Sequence, residues 1–324
     1  MSERNGRPKI LIATDGSQGA KEAEACACDL AVSWGATLTV MSVLEFPRGL
    51  NPGYPVNRLY LGELMKQATR EQAEVAGRAS DRGIPVDTRI ATGIPSEEVL
   101  AAAAAEDPDL IVVGTRGKTG LEHVLLGSTA ERIIRTAPCP VLAVRTEGRR
   151  VGQTGGDRSH LWAFDRILVP IDFSDCSLDA LEYAVLVAQR AKASVTLLHV
   201  MEPVSYGLDF TIPHLTKREQ MRAAIKERLA GVVEALTAVQ VKSDSLLRGG
   251  LPSDSILDAA RAQPADMIIM GTHGRRGLSH AFYGSVAEAV LRKAHCPVLT
   301  VRSPKFHPGH RRALSSQPAL RTNS

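Results

Sequence analysis

Apolar residues fall in two rhythms along the chain. Short runs such as Lys9–Ala13 and Leu110–Val113 are apolar almost throughout, as strands buried on both faces must be. Segments such as Lys21–Trp34 are longer, rich in alanine and spaced as helices. The first half therefore predicts strand Lys9–Ala13, helix Lys21–Trp34, strand Thr37–Val43 and a helix from about Leu59 to Asp81. Strand Val86–Ala91, helix Glu97–Ala105, strand Leu110–Val113, helix Ser128–Thr136 and strand Pro140–Arg145 follow. Asp15 and Ser17 stand where caps for the first helix are expected. Pro95 cannot lie inside the helix that follows it, which leaves Ser96 as the expected cap.

The rhythm then restarts at an offset of 157 residues. From Asp109 to Arg145, 20 of 37 positions are identical to their partners at that offset, which marks a duplicated domain rather than a short solenoid repeat. The second half predicts Ile167–Ile171, Leu178–Ala191, Ser194–Val200, Thr216–Thr237, Asp244–Leu247, Ser253–Arg261, Met267–Met270, Ser285–Lys293 and Pro297–Arg302. Strands separated by helices imply right-handed crossovers and parallel sheets covered on both faces. The expected fold is α/β: two tandem, doubly wound, five-stranded parallel-sheet domains. The expected boundaries are a tail over 1–8, domains over 9–146 and 165–303, a Gly-rich linker over 147–164 and a disordered basic tail over 304–324. In such sheets ligands bind beyond the strand C-terminal ends, where the strand order reverses. The last strands are apolar edges that need a partner, and pairing of the two halves through them is expected.

Composition narrows the function. At 324 residues, with 44% hydrophobic and 23% charged residues, each half can bury its own core. An aromatic content of 4% disfavours base-stacking surfaces, so nucleic acid is not the expected partner despite a net charge of +4. Five cysteines without a C-x-x-C pair and a polar N-terminus fit a reducing cytoplasm. Cys139 and Cys296, each before a proline, are expected to pack rather than react. No run reaches the roughly 18 apolar residues of a membrane span.

The chemistry concentrates in Asp109–Ser128, DLIVVGTRGKTGLEHVLLGS, and its copy Asp266–Ser285, DMIIMGTHGRRGLSHAFYGS. In each, a buried strand ends at one glycine (Gly114, Gly271), a second follows (Gly117, Gly274), and nine residues later a Gly-Ser pair (Gly127-Ser128, Gly284-Ser285) opens a helix. Glycines let backbone approach a phosphate, and a helix N-terminus offers unpaired amides and a favourable dipole. Lys118, Arg275 and Arg276 can add charge, and His123 and His280 lie in the same loops. The alternative is that these glycines only make turns and that Asp15 and Asp172 only cap helices. A Walker A loop is excluded because Val112 stands where it needs glycine. The tail sequence His307-Pro308-Gly309-His310 follows the last strand, not the first, and is set aside as coincidence.

Taken together, a strand ending in Asp, a G-x-P helix start, G-x2-G-x9-G-S and a final C-P-V-L-x-V strand resemble the universal stress protein family, over about Pro8 to Ser303. The resemblance implies an adenine nucleotide alpha hydrolase-like fold, dimeric or otherwise oligomeric, that binds ATP, with Mg²⁺ as a candidate companion ion. Carried onto this chain, it implies one site of Asp15, Val43, Gly114, Gly117, Gly127 and Ser128. A second site comprises Asp172, Val200, Gly271, Gly274, Gly284 and Ser285, with Val43 and Val200 near the adenine. Phe173 stands where the first copy has Gly16, so it is expected to shape or crowd the second pocket and make the affinities unequal. Hydrolysis needs a positioned water and charge stabilisation, and no second carboxylate has a motif-defined place beside either Asp. Binding, as a nucleotide-dependent sensor, is therefore the leading reading. Slow ATP hydrolysis or self-phosphorylation, and a nucleotide-independent interaction module, are the alternatives.

Overall fold

The computed structural model describes residues 7–45, 54–115, 126–145, 162, 164–202, 212–273 and 284–302. They form two compact units: Met1–Ala163 with His295–Thr300, and Phe164–Ala294 with Val301–Ser324. The first contains β1 (Lys9–Thr14), α1 (Gln18–Trp34), β2 (Thr37–Leu44), α2 (Pro55–Asp81), β3 (Val86–Thr92), α3 (Pro95–Glu106), β4 (Leu110–Gly114), α4 (Ser128–Thr136) and β5 (Val141–Val144). The second contains β6 (Arg166–Pro170), α5 (Asp175–Ala191), β7 (Ser194–Met201), α6 (Ile212–Ala238), β8 (Ser243–Gly249), α7 (Pro252–Ala262), β9 (Met267–Gly271) and α8 (Ser285–Lys293). The last strand is β10 (Val298–Val301).

In the first unit the parallel strands lie in the order β3-β2-β1-β4-β5. Ile10, Ile12, Val40, Leu110, Ile111, Val112 and Leu142 are all but inaccessible and form its core. The order reverses between β1 and β4, where Ala13 pairs with Val113, so Thr14 and Gly114 end side by side. The second unit repeats the pattern as β9-β6-β7-β8, all parallel.

The expectation of two five-stranded, purely parallel sheets needs correction. Val298–Thr300 belong to the first unit and run antiparallel to β5, opposite Val141–Ala143, so that sheet is mixed. The side chain of Thr300 also donates to the Val141 carbonyl at 3.1 Å. The physical reason is that all four residues of β5 are buried and apolar, and such an edge leaves a row of costly unpaired backbone groups unless something covers it.

Helix starts follow local chemistry. The Ser17 hydroxyl accepts from the Ala20 amide at 3.2 Å and caps α1, which ends at Gly35 in the left-handed region. The start of α3 differs from expectation: Pro95 is its first helical residue, Ile94 precedes it, and Ser96 is buried without a capping bond. Proline suits that first position because its missing N–H has no intrahelical partner to lose. Both α2 and α6 begin four residues before the apolar periodicity suggests.

The two copies differ most where the first helix meets the second. In the first copy this seam is polar. Arg78 on α2 pairs with Glu24 on α1 at 3.0 Å, and Arg82 pairs with Asp29 at 2.6 Å. Asp29 also accepts from the backbone amide of Trp162 at 2.5 Å, holding the end of the linker against α1. At the equivalent places the second copy has Leu181 and Ala235, both fully buried, and then Leu186 and Val239.

Candidate functional site

The first copy brings its predicted residues to the C-terminal end of the sheet. Beyond β1, Asp15 is exposed and its Oδ1 accepts from the Ser17 amide at 3.0 Å. Gly16, at φ +73°, makes the turn that lets this happen. Val43 is half-buried near the end of β2, opposite Ala91. Gly114 closes β4 directly beneath the first turn of α1. A Cβ there would stand 2.7 Å from the Gly19 carbonyl carbon and oxygen and 3.0 Å from the Ala20 nitrogen. This glycine is thus required by helix-on-strand contact, a stronger reason than the phosphate clearance that its spacing suggests.

Past Gly114 the chain is clasped at the base of its loop. Thr115 donates to the Val144 carbonyl at 3.0 Å, and Gly127 donates to the Thr115 carbonyl at 2.8 Å. The loop therefore leaves and returns at one point, 12 residues apart in sequence. Gly117, Lys118 and His123 lie between those points, outside the described residues. Gly127 is the N-cap of α4 and makes no side-chain capping bond. Among the described residues, a Cβ on it would meet only the Thr115 oxygen, at an ordinary 3.5 Å. Ser128 is exposed at the first helical position. Because the Gly127 amide is already used, the donors that this helix start can offer are the first amides of α4 and the Ser128 hydroxyl.

The second copy reproduces the frame. Asp172 accepts from the Ser174 amide at 3.0 Å and from its hydroxyl at 2.5 Å. Val200 is half-buried near the end of β7. Gly271 meets α5 as Gly114 meets α1: a Cβ would lie 2.8 Å from the Cys176 oxygen and sulfur. Gly284 donates to the Thr272 carbonyl at 2.9 Å, caps α8 without a side-chain bond, and hands on to exposed Ser285. Gly274, Arg275, Arg276 and His280 lie outside the described residues.

A further position separates the copies. Phe173 replaces Gly16 yet keeps its left-handed backbone, at φ +62°, an expensive conformation for a bulky residue. Its ring is buried, 4.0 Å beneath the Arg228 guanidinium carbon and tilted against His199 at 5.4 Å between centroids. His199 Nδ1 lies 2.7 Å from the Ile171 carbonyl, which can only accept, so that nitrogen carries the proton. In the first copy Gly16 instead faces the Glu71 carboxylate, 2.5 Å from where a Cβ would stand.

Sequence reasoning missed the threonine clasp and the Thr14–Glu24–Arg78 chain described below. The Gly-Thr pair, identical in both copies, was a readable signal for the clasp. Nothing in local spacing pointed to Glu24, whose hydrogen-bond partners lie on two other elements, β1 and α2. The cysteines are buried, and burial pushes the Cys139 thiol up to about 12, which suits packing rather than nucleophilic work. Among the described residues no group of three or more His, Cys, Asp or Glu could hold a metal ion. No helix among them is long and apolar enough to cross a membrane.

Comparison with known proteins fits this geometry. A family model described as the universal stress protein family matches residues 6–145 and again 163–302. A universal stress protein of Mycobacterium tuberculosis is 26% identical over 321 residues, covering 93% of this chain and 99% of that protein. One from Methanocaldococcus jannaschii is 38% identical over 148 residues, 44% of this chain and 86% of its own length. The crystal structure of a universal stress protein from Archaeoglobus fulgidus superposes with a TM-score of 0.68 at 23% identity, covering 91% of this chain and 98% of that one.

Proposed function

The chain belongs to the universal stress protein family as a tandem, two-copy member, and from that premise we propose that it binds adenine nucleotide, ATP foremost, as a nucleotide-dependent sensor in the stress response. The observation that carries this reading is the repeated convergence at each sheet's C-terminal edge. In both copies a carboxylate (Asp15, Asp172), a glycine strand end (Gly114, Gly271) and a helix start without a side-chain cap (Gly127-Ser128, Gly284-Ser285) meet there. The phosphates would take the first amides of α4 and α8 with the Ser128 and Ser285 hydroxyls, and Gly117 and Gly274 are the expected further contacts. Val43 and Val200 would border the base. Mg²⁺ would arrive on the phosphates, which normally supply most of its non-water ligands, with Asp15 or Asp172 within the same crevice. The adenine nucleotide alpha hydrolase-like, doubly wound description of the fold is part of the same proposal, because it places the ligand at the β1/β4 reversal.

Titration calorimetry with Mg·ATP tests the proposal on the full chain beside Gly117→Val and Gly274→Val. Saturable binding weakened at least tenfold by the matching substitution is expected. Absence of heat at millimolar ATP, or affinity indifferent to both substitutions, would overturn it.

A further inference from the structure

A chain of hydrogen bonds, buried at Thr14–Glu24 and part-buried at its two ends, runs from α2 to the turn that carries Asp15. Arg78 Nη2 donates to Glu24 Oε2 at 3.0 Å, and the Thr14 hydroxyl donates to Glu24 Oε1 at 2.5 Å. The Thr14 oxygen in turn accepts from the Gly16 amide at 3.3 Å. Glu24 is 4% exposed, so these bonds are not readily exchanged for water. The chain works only if both Glu24 oxygens accept. A proton on Oε2 would face a guanidinium that has only donors and break the Arg78 bond, and a proton on Oε1 would turn the Thr14 hydroxyl from donor to acceptor, on the oxygen that already accepts from the Gly16 amide. The second case reaches the Asp15 turn directly, and the first removes the charge that holds Glu24 on Thr14.

The duplication isolates this feature. At the positions of Thr14, Glu24 and Arg78 the second copy carries Ile171, Leu181 and Ala235, all buried. The same architecture therefore stands without the polar chain, so a purely structural need does not explain it. We propose that Thr14–Glu24–Arg78 is a proton-sensitive positioning device for the Asp15 turn, so that the first nucleotide site responds to pH through Glu24 and the second does not. The last clause rests on the nucleotide reading above; the device itself does not.

The groups facing Glu24 are Thr14 from β1, Lys21 and Cys28 from α1, and Arg78 and Glu71 from α2. Burial raises its pKa above the ordinary value of a glutamate. The Thr14 bond and then the charges of Arg78 and Lys21 pull it down, while Glu71 pushes it up. Folding therefore favours the protonated acid. The stability this brings is complete below the unfolded value and is lost as pH rises through the folded one. Protons have a route, because Gly16, Lys21, Glu24, Glu71 and Arg78 all line one open groove between α1 and α2.

The test follows the Gly16 and Ser17 amides of the full chain by nitrogen–proton correlation from about pH 4 to pH 8. The expected result is a titration step at both amides that is absent in Glu24→Gln and in Thr14→Ile/Glu24→Leu/Arg78→Ala, which carries the second copy's residues. ATP affinity of the first site, read in a Gly274→Val chain, should fall about fivefold below that step and stay flat in the same variants. No step in the wild type that the variants remove, or profiles that coincide in all three proteins, overturns the device. A Glu24-dependent step without ATP binding upholds the device and overturns the nucleotide reading.

Discussion

Gly114→Ala separates the packing role of the strand-end glycine from any role in binding. The added methyl would sit 2.7 Å from the Gly19 carbonyl carbon and oxygen and 3.0 Å from the Ala20 nitrogen, where unstrained carbon contacts run to about 3.5–4.0 Å. All three atoms are backbone in the first turn of α1, so no side chain can swing aside and the helix must lift from β4. Overpacking costs about 1–3 kcal/mol, and a backbone wall places this case at about 2–3 kcal/mol. For a unit of this size that is a melting shift of about 4–12 °C. Gly271→Ala should do the same to the second unit against Cys176. Gly127→Ala, with an ordinary 3.5 Å contact and φ −67°, should change stability by less than about 1 kcal/mol. Hydrogen exchange on nucleotide-free protein, read peptide by peptide, assigns each loss to its unit. If α1 and β4 keep their protection in Gly114→Ala while ATP affinity falls, the contact argument is wrong and the glycine serves the ligand directly.

Three further outcomes follow from the differences between the copies and from the cap. Arg78→Ala leaves Glu24 buried with less support; because the arginine side chain is more than half exposed, the loss should be about 1–2 kcal/mol rather than the roughly 3–5 of a fully buried pair. That loss should shrink at acid pH, where Glu24 is protonated, and chemical denaturation at two pH values reads it. Phe173→Gly relieves the left-handed strain but gives up a buried ring and its Arg228 contact, for a net loss of about 1–4 kcal/mol by hydrogen exchange in β6 and α5. Ser17→Ala removes the α1 cap and should cost about 1 kcal/mol, seen as faster exchange in the first turn of α1.

Much of this was legible before any coordinates. The apolar runs located the central strands because strands buried on both faces carry an unbroken signal, whereas β3 and β8 are exposed or half-buried along their length and carry a weaker one; the offset repeat made each assignment twice. The partner of β5 could be expected from its apolar edge, but not its direction, since antiparallel pairing depends on how the chain returns. Spacing singled out Asp15, Gly114, Gly127 and Ser128, which lie together at the C-terminal end of the first sheet, yet spacing gave no sign of the packing that requires glycine at 114. The contact that decides it comes from Gly19, 95 residues away in sequence, and no local pattern reports such a neighbour. Glu24 was invisible for the same reason: an acid in an alanine-rich helix reads as surface until Thr14 and Arg78 close over it.

The central claim is that the two crevices hold adenine nucleotide, and native mass spectrometry of the full chain with added ATP measures this most directly. The account predicts ATP-bound species of the chain, with Gly117→Val and Gly274→Val each removing one increment and the double variant removing both. Species no more abundant than on an unrelated protein of similar mass, or increments untouched by either substitution, would contradict it.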